Sequence, residues 1–151
     1  MITRGEKTIN NICVNFDAEE YGFEKNRTTR VNVFATFMIK GEERSFKPVY
    51  GRTSSQINKY SYELAILETA IWGLSKAFQD AEVQTQRGLT IKANTEYQLL
   101  ALKSLDRWME ADWTNAEGEP LKNQLLLKRL YQALSCLHGM VSGDFEYVLN
   151  D

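Results

Sequence analysis

Between Arg30 and Phe78 the apolar residues change their spacing from every second position to every third or fourth, and that switch constrains the fold more than any other feature of the chain. From Arg30 to Lys40 (RVNVFATFMIK) the side chains alternate, with Val31, Val33, Ala35 and Phe37 on one side and Asn32, Phe34, Thr36 and Met38 on the other. This is the period of a strand with two distinct faces. Leu64, Leu67, Ile71, Leu74 and Phe78 then follow the 3, 4, 3, 4 spacing of one helix face. A strand needs neighbours for its backbone and a helix stripe needs a surface to bury it, so the pair demands a sheet with helices packed on it.

The flanking sequence extends this pattern. Ile12 to Phe16 is a short apolar strand with Asp17 directly after it, and polar Glu19 to Thr29 suits a turn. Gly41-Glu42 predicts a tight turn, Glu43 to Tyr50 an antiparallel partner, and Gly51 to Asn58 a polar loop before a helix that begins near Lys59. Gln84 to Gly88 ends that helix, and Leu89 to Ala93 is a short strand. Asn94-Thr95 can cap a second helix with the stripe Tyr97, Ala101, Leu105 and Trp108. Asn115 to Glu119 is a turn, and Pro120 suits the first position of a third helix whose stripe is Leu127, Leu130, Leu134 and Leu137. After a loop over Gly139 to Gly143, Phe145 to Leu149 predicts a last strand. The order is β-β-β-α-β-α-α-β, an α+β class shading into mixed α/β, in one domain over 1–151. Leu64, Leu67, Ile71, Leu74, Leu102, Leu105, Leu127, Leu130 and Leu134 are the expected core.

Composition excludes several function classes. A net charge of -2 gives no overall attraction to polyanions, though it permits a local basic patch. One histidine and two separated cysteines cannot build a structural zinc site. Cys13 and Cys136 sit among apolar neighbours and are expected as buried free thiols; nothing in their spacing asks for a disulfide. The first residues are polar and no apolar run approaches a bilayer span, so a cytoplasmic protein with no membrane partner is expected.

Two stretches carry a resemblance. YSYELAILETAIWGL, containing Glu63-Leu64, looks like the first helix of the cellular ribonuclease H family. Trp113 to Leu130, WTNAEGEPLKNQLLLKRL, resembles that family's tryptophan, polar turn, Pro-aliphatic-Lys-Asn and leucine-rich helix. The resemblance implies a ribonuclease H-like fold, with a five-stranded mixed sheet and helices packed on its faces. It also implies two-metal phosphodiester hydrolysis of RNA in RNA–DNA hybrids, with Mg²⁺ or Mn²⁺ held by clustered carboxylates.

Residue by residue, Asp17 matches the family's first carboxylate and Glu63 the second. The third position, an aspartate in the family, is Asn94, whose amide oxygen can ligate a metal but brings no charge. The family's fourth carboxylate lies beyond the last strand, and the sequence given ends at Asp151. The family's glycine-rich turn is replaced by Ala18-Glu19-Glu20. Glu96 is a candidate substitute ligand. The implied catalytic and metal-binding set is therefore Asp17, Glu63 and Asn94, converging at one end of the sheet.

Each has a plainer reading. Asp17 can be a turn former, Glu63 an ion-paired boundary residue and Asn94 a helix cap. His138 suits a helix C-terminus, and Trp72, Trp108 and Trp113 suit the core or its margin. The region that grips the hybrid in many cellular members, here Ser104 to Asn123, holds Asp106, Glu110, Asp112, Glu117 and Glu119 against Arg107 and Lys122. Such a surface is expected to repel a phosphate backbone, and its plainer reading is a solvated face. Lys40, Arg44, Lys47, Arg52 and Lys59 could form a separate basic face. Three functions stay open. One is a ribonuclease H-like protein with a weakened or lost site, retained for nucleic-acid or protein binding. Another is an active hybrid nuclease. The third is a non-enzymatic scaffold, able to dimerise through a strand edge.

Overall fold

A computed structural model of the chain describes residues 10–21, 28–39, 42–45, 49–54, 58–81, 88–141 and 143–150. The strands are β1 (Asn10–Tyr21), β2 (Thr28–Ile39), β3 (Glu42–Ser45), β4 (Val49–Ser54), β5 (Leu89–Ala93) and β6 (Phe145–Leu149). The helices are α1 (Lys59–Ala81), α2 (Glu96–Glu110) and α3 (Gln124–His138). β1 and β2 are antiparallel, while β1–β5 and β5–β6 are parallel. β3 pairs with the Thr36–Ile39 end of β2, and β4 with Thr28–Val33. β1 covers the other edge of β2, so β3 and β4 share one position in a mixed sheet of five positions.

Alternation decides which face is buried. Ile12, Val14 and Phe16 of β1 and Val31, Val33 and Ala35 of β2 are buried, and their odd-phase neighbours Asn15 and Asp17 are exposed. The side chains of Phe37 and Met38 fall outside those described. α1 packs on β2 and β4, α2 on β5 and β6, and all three helices touch one another, which places them on the same sheet face. The nine expected core residues are all buried there, with Leu67 and Leu130 at 0% exposure. Each such side chain contributes about 1.5–3 kcal/mol relative to exposure. Gly88 is needed where β5 begins, because a Cβ there would lie 1.9 Å from the carbonyl oxygen of Asp144 on the approach to β6.

Several expectations need correction. β1 runs through Asp17 to Tyr21 and β2 starts at Thr28, so the turn expected from Glu19 is strand at both ends; 22–27 lie outside the described residues. The ladder with β2, not apolar content, carries this polar stretch, with Glu19 opposite Arg30 and Glu20 opposite Thr29. Gly51 to Ser54, expected in a loop, are strand β4. The third helix starts at Gln124, not at Pro120. Asn123 is left-handed at φ 61°, and Pro120 instead bridges Thr114 around a turn in which Asn115 Oδ1 accepts from Glu117 N and Glu119 N. Both thiols are free as expected, but Cys13 is half-buried and Cys136 exposed, since Cys136 lies off the α3 stripe. Trp113 is buried and Trp108 packs at the core margin, whereas Trp72 is exposed and donates from Nε1 to Glu68. Gly41, Gln84, Lys40 and Lys47 lie outside the described residues, as does the side chain of Arg44. No helix among the described residues is long and apolar enough to cross a membrane.

Candidate active site

The site forms where β5 stops beside β1. Their pairing ends at Val14 opposite Ile91, so Asp17 to Tyr21 of β1 pair only with β2. Asn94, just past β5, bridges the step: its Nδ2 donates to the Phe16 carbonyl oxygen at 2.9 Å. The amide is thereby fixed beside Asp17. Its Oδ1 faces away from that carbonyl and receives a long contact of 3.5 Å from Asn150 Nδ2. Asn150 is held in turn by its backbone N–H, which donates to Ala93 O at 2.7 Å.

Asp17 is a mid-strand residue, which removes its reading as a turn former. Asn32, directly opposite on β2, donates from Nδ2 to Asp17 Oδ1 at 2.9 Å. Being out of phase with Phe16, Asp17 leaves β1 toward the sheet face that α1 does not cover. Glu63 approaches from the other side. Asn58 starts α1 by accepting from Tyr60 N and Ser61 N, which fixes the first turn and carries Glu63 inward on the second. Glu63 is 7% exposed, and its Oε2 is buried with no hydrogen-bond donor among the described residues. An acceptor in that state costs about 1–3 kcal/mol.

Gln98 joins these parts. It is buried, its Nε2 donates to Glu63 O at 2.9 Å, and its Oε1 accepts from Asn94 N at 2.9 Å. Its own N–H donates to Oγ1 of Thr95, the N-cap of α2. One amide thus locks α1, α2 and the end of β5 together. Asp17, Glu63 and Asn94 all line one hollow of about 550 Å³, with Lys59, Tyr62, Gln98 and Asn150 also on its wall. Glu96, weighed as a substitute ligand, lines the neighbouring hollow with Glu63 but not this one.

Sequence reasoning missed Gln98 and Asn150. Gln98 carried a signal: it shares the face of Ala101, Leu102 and Leu105, so a polar side chain there must be buried and satisfied. Asn150 carried none beyond its place after the last strand.

The donor set is oxygen only, two carboxylates and an amide, which suits a hard cation. The unpartnered Glu63 Oε2 is an acceptor that a cation would satisfy. For one ion the charge balances; for two divalent ions, two carboxylates neutralise half the charge. Among the described residues no three Asp, Glu, His or Cys side chains gather into a group able to hold a metal.

No family model and no curated protein matches this chain. Solved structures do. The chain is similar to a foamy viral protease-reverse transcriptase in complex with an RNA/DNA hybrid, at 16% identity and TM-score 0.51, covering 99% of this chain and 18% of that one. It is similar to LC9-RNase H1, a type 1 RNase H with the type 2 active-site motif, at 11% identity and TM-score 0.57, covering 99% of this chain and 66% of that one. It is also similar to RNase H1 from the halophilic archaeon Halobacterium salinarum, at 13% identity and TM-score 0.51, covering 95% and 86%. The fold is ribonuclease H-like.

Proposed function

We propose that residues 1–151 form one ribonuclease H-like domain that binds nucleic acid through the Asp17–Glu63–Asn94 hollow, with its two-metal phosphodiesterase capacity weakened or lost. The observation that carries this reading is Asn94. It stands where the resemblance places a third carboxylate, and its amide hydrogen is committed to the Phe16 carbonyl. A carboxylate has no such hydrogen to give, so the local structure is fitted to asparagine rather than to a metal-binding aspartate.

When bound, a divalent cation would supply Lewis-acid activation of a water and of the scissile phosphate. Asp17, Glu63 and the Asn94 amide oxygen would hold it. Asn32 orients the Asp17 carboxylate by a hydrogen bond to Oδ1, which leaves Oδ2 for a ligand. Gln98 fixes the backbone at Glu63 and Asn94, so two of the three donors keep their spacing. Lys59 at the rim offers a positive charge to a phosphodiester.

A second reading, a working Mg²⁺- or Mn²⁺-dependent nuclease acting on RNA–DNA hybrids, draws support from the unpartnered oxygen of Glu63. Single-turnover cleavage of a labelled hybrid separates the two. We expect binding with very slow or absent cleavage in Mg²⁺ and Mn²⁺. Robust cleavage that Asp17→Ala abolishes would establish the nuclease and overturn the leading reading.

A further inference from the structure

Beside the candidate site lies a second hollow of about 630 Å³ with an aromatic wall. Tyr60 and Tyr97 are the second residues of α1 and α2, and their rings meet with centroids 4.5 Å apart and planes 43° apart. Tyr60 is 49% exposed, and Leu100 on the same wall is 51% exposed. The Tyr97 ring is partly buried against the core, which anchors it. Tyr60 rests on that anchored ring and leaves much of its own surface in solvent. Lys59, Glu63 and Thr95 line both hollows, so the aromatic wall runs into the candidate site without a break.

Resting on the proposed nucleic-acid reading, we infer that the Tyr60–Tyr97 pair is a stacking platform for an unpaired base, and that the site takes single-stranded nucleic acid in preference to a fully paired duplex. A base within a duplex has both faces covered by its neighbours, so an aromatic ring can reach only a base outside the stack. Such a base is uncharged and is not repelled by Glu96 on the same wall. Its phosphate would fall toward Lys59, the one basic side chain among the described residues on the wall of either hollow. A duplex would need further basic contacts for its second backbone. The segment from Ser104 to Asn123 instead exposes Asp106, Glu110, Asp112, Glu117 and Glu119, which works against that.

Fluorescence anisotropy tests this with three labelled probes: a short oligothymidylate, an abasic strand of equal length and a blunt RNA–DNA hybrid. The wild type should bind the oligothymidylate most tightly. Tyr60→Ala should weaken that binding by roughly 5- to 150-fold, the span of one base–aromatic stack. It should leave the abasic affinity unchanged, and Tyr60→Trp should retain tight binding. Tyr60 is half exposed, so these variants keep the fold, and circular dichroism checks it. Hybrid binding with no Tyr60 effect on any probe would overturn the platform and leave the functional reading standing. An equal loss on the abasic and base-bearing strands would also overturn it. Failure of the wild type to bind any probe would overturn both.

Discussion

Asn94→Asp makes opposed demands on one position, and their sizes follow from the geometry. The substitution keeps the shape but replaces an N–H donor with an oxygen, 2.9 Å from the Phe16 carbonyl oxygen. Two acceptors then face each other. Leaving such a group unpaired costs about 1–3 kcal/mol, and the part-buried setting of this contact puts the cost near the middle of that range. A negative charge just before α2 recovers about 0.3–1 kcal/mol from the helix dipole. The net loss is roughly 1–2 kcal/mol, or a fall of roughly 2–8 °C in Tm for a domain of this size. A cation reverses the balance, because the variant has three carboxylates about the hollow where the wild type has two. At ten times its Kd, an ion bound only by the folded state contributes about 1.4 kcal/mol.

The assay is thermal unfolding by circular dichroism, first in chelator and then across a Mg²⁺ series, for both proteins. Asn94→Asp should melt lower in chelator and climb more steeply with Mg²⁺. Single-turnover hybrid cleavage on the same samples shows whether the added charge also restores chemistry. A variant as stable as wild type in chelator would refute the clamp between Asn94 and Phe16. Parallel Mg²⁺ responses would refute the charge argument.

Other perturbations probe separate parts of the molecule. Glu63→Gln keeps the volume and leaves a polar group in the same buried place, so Tm in chelator should move by no more than about 1 kcal/mol equivalent, while any Mg²⁺-dependent rise disappears; a retained rise would remove Glu63 from the ligand set. Leu130→Ala, at a fully buried position, should cost about 2–5 kcal/mol in urea unfolding, and a cost below that range would show that the α3 stripe is loosely packed. Burial, with a smaller contribution from Asp106, pushes the Tyr147 hydroxyl up to about 12. The folded state therefore holds this proton more tightly than the unfolded chain. The resulting stability, roughly 2–3 kcal/mol, is intact below pH ~10 and lost as pH rises toward the folded value. Tyr147→Phe should flatten urea stability across that alkaline window, and an unchanged slope would count against the burial effect.

The helix stripes were legible because their period comes from burial itself. Leu64, Leu67, Ile71 and Leu74 had to share a face, and one face of α1 is what the core covers. Asp17 was legible as a residue but not as a strand position. Its neighbours Ala18, Glu19 and Glu20 are exposed, and a ribbon held only by β2 needs no apolar pattern. Gly51 to Ser54 escaped for the same reason, being strand through backbone pairing to Thr28–Val31. Pro120 misled because a proline suits a first helical turn equally well as a bridge before one; the left-handed Asn123 decides the matter, and no propensity announces it.

The two proposed ligand positions Asn94 and Glu63 argue in opposite directions. Asn94 gives something back to the fold: its amide closes the gap between the end of β5 and β1, and loss of that amide alone would loosen the step at which the hollow opens. Glu63 differs: its Oε2 is buried without a donor among the described residues, and Gln98 uses its backbone carbonyl. A buried, unpartnered carboxylate oxygen is a cost that selection for stability alone would remove, for example by an apolar residue in the same helix turn. Its presence beside Asp17 in one hollow points to a ligand that completes it. The neutral, hydrogen-bonded amide at position 94 limits how much positive charge that ligand can carry. Asn32 Oδ1, on the partner of Asp17, is a second buried acceptor with no donor among the described residues, and with the Asn94 clamp the proposed site fits a single cation or the polar edge of a nucleotide better than it fits a pair of divalent ions.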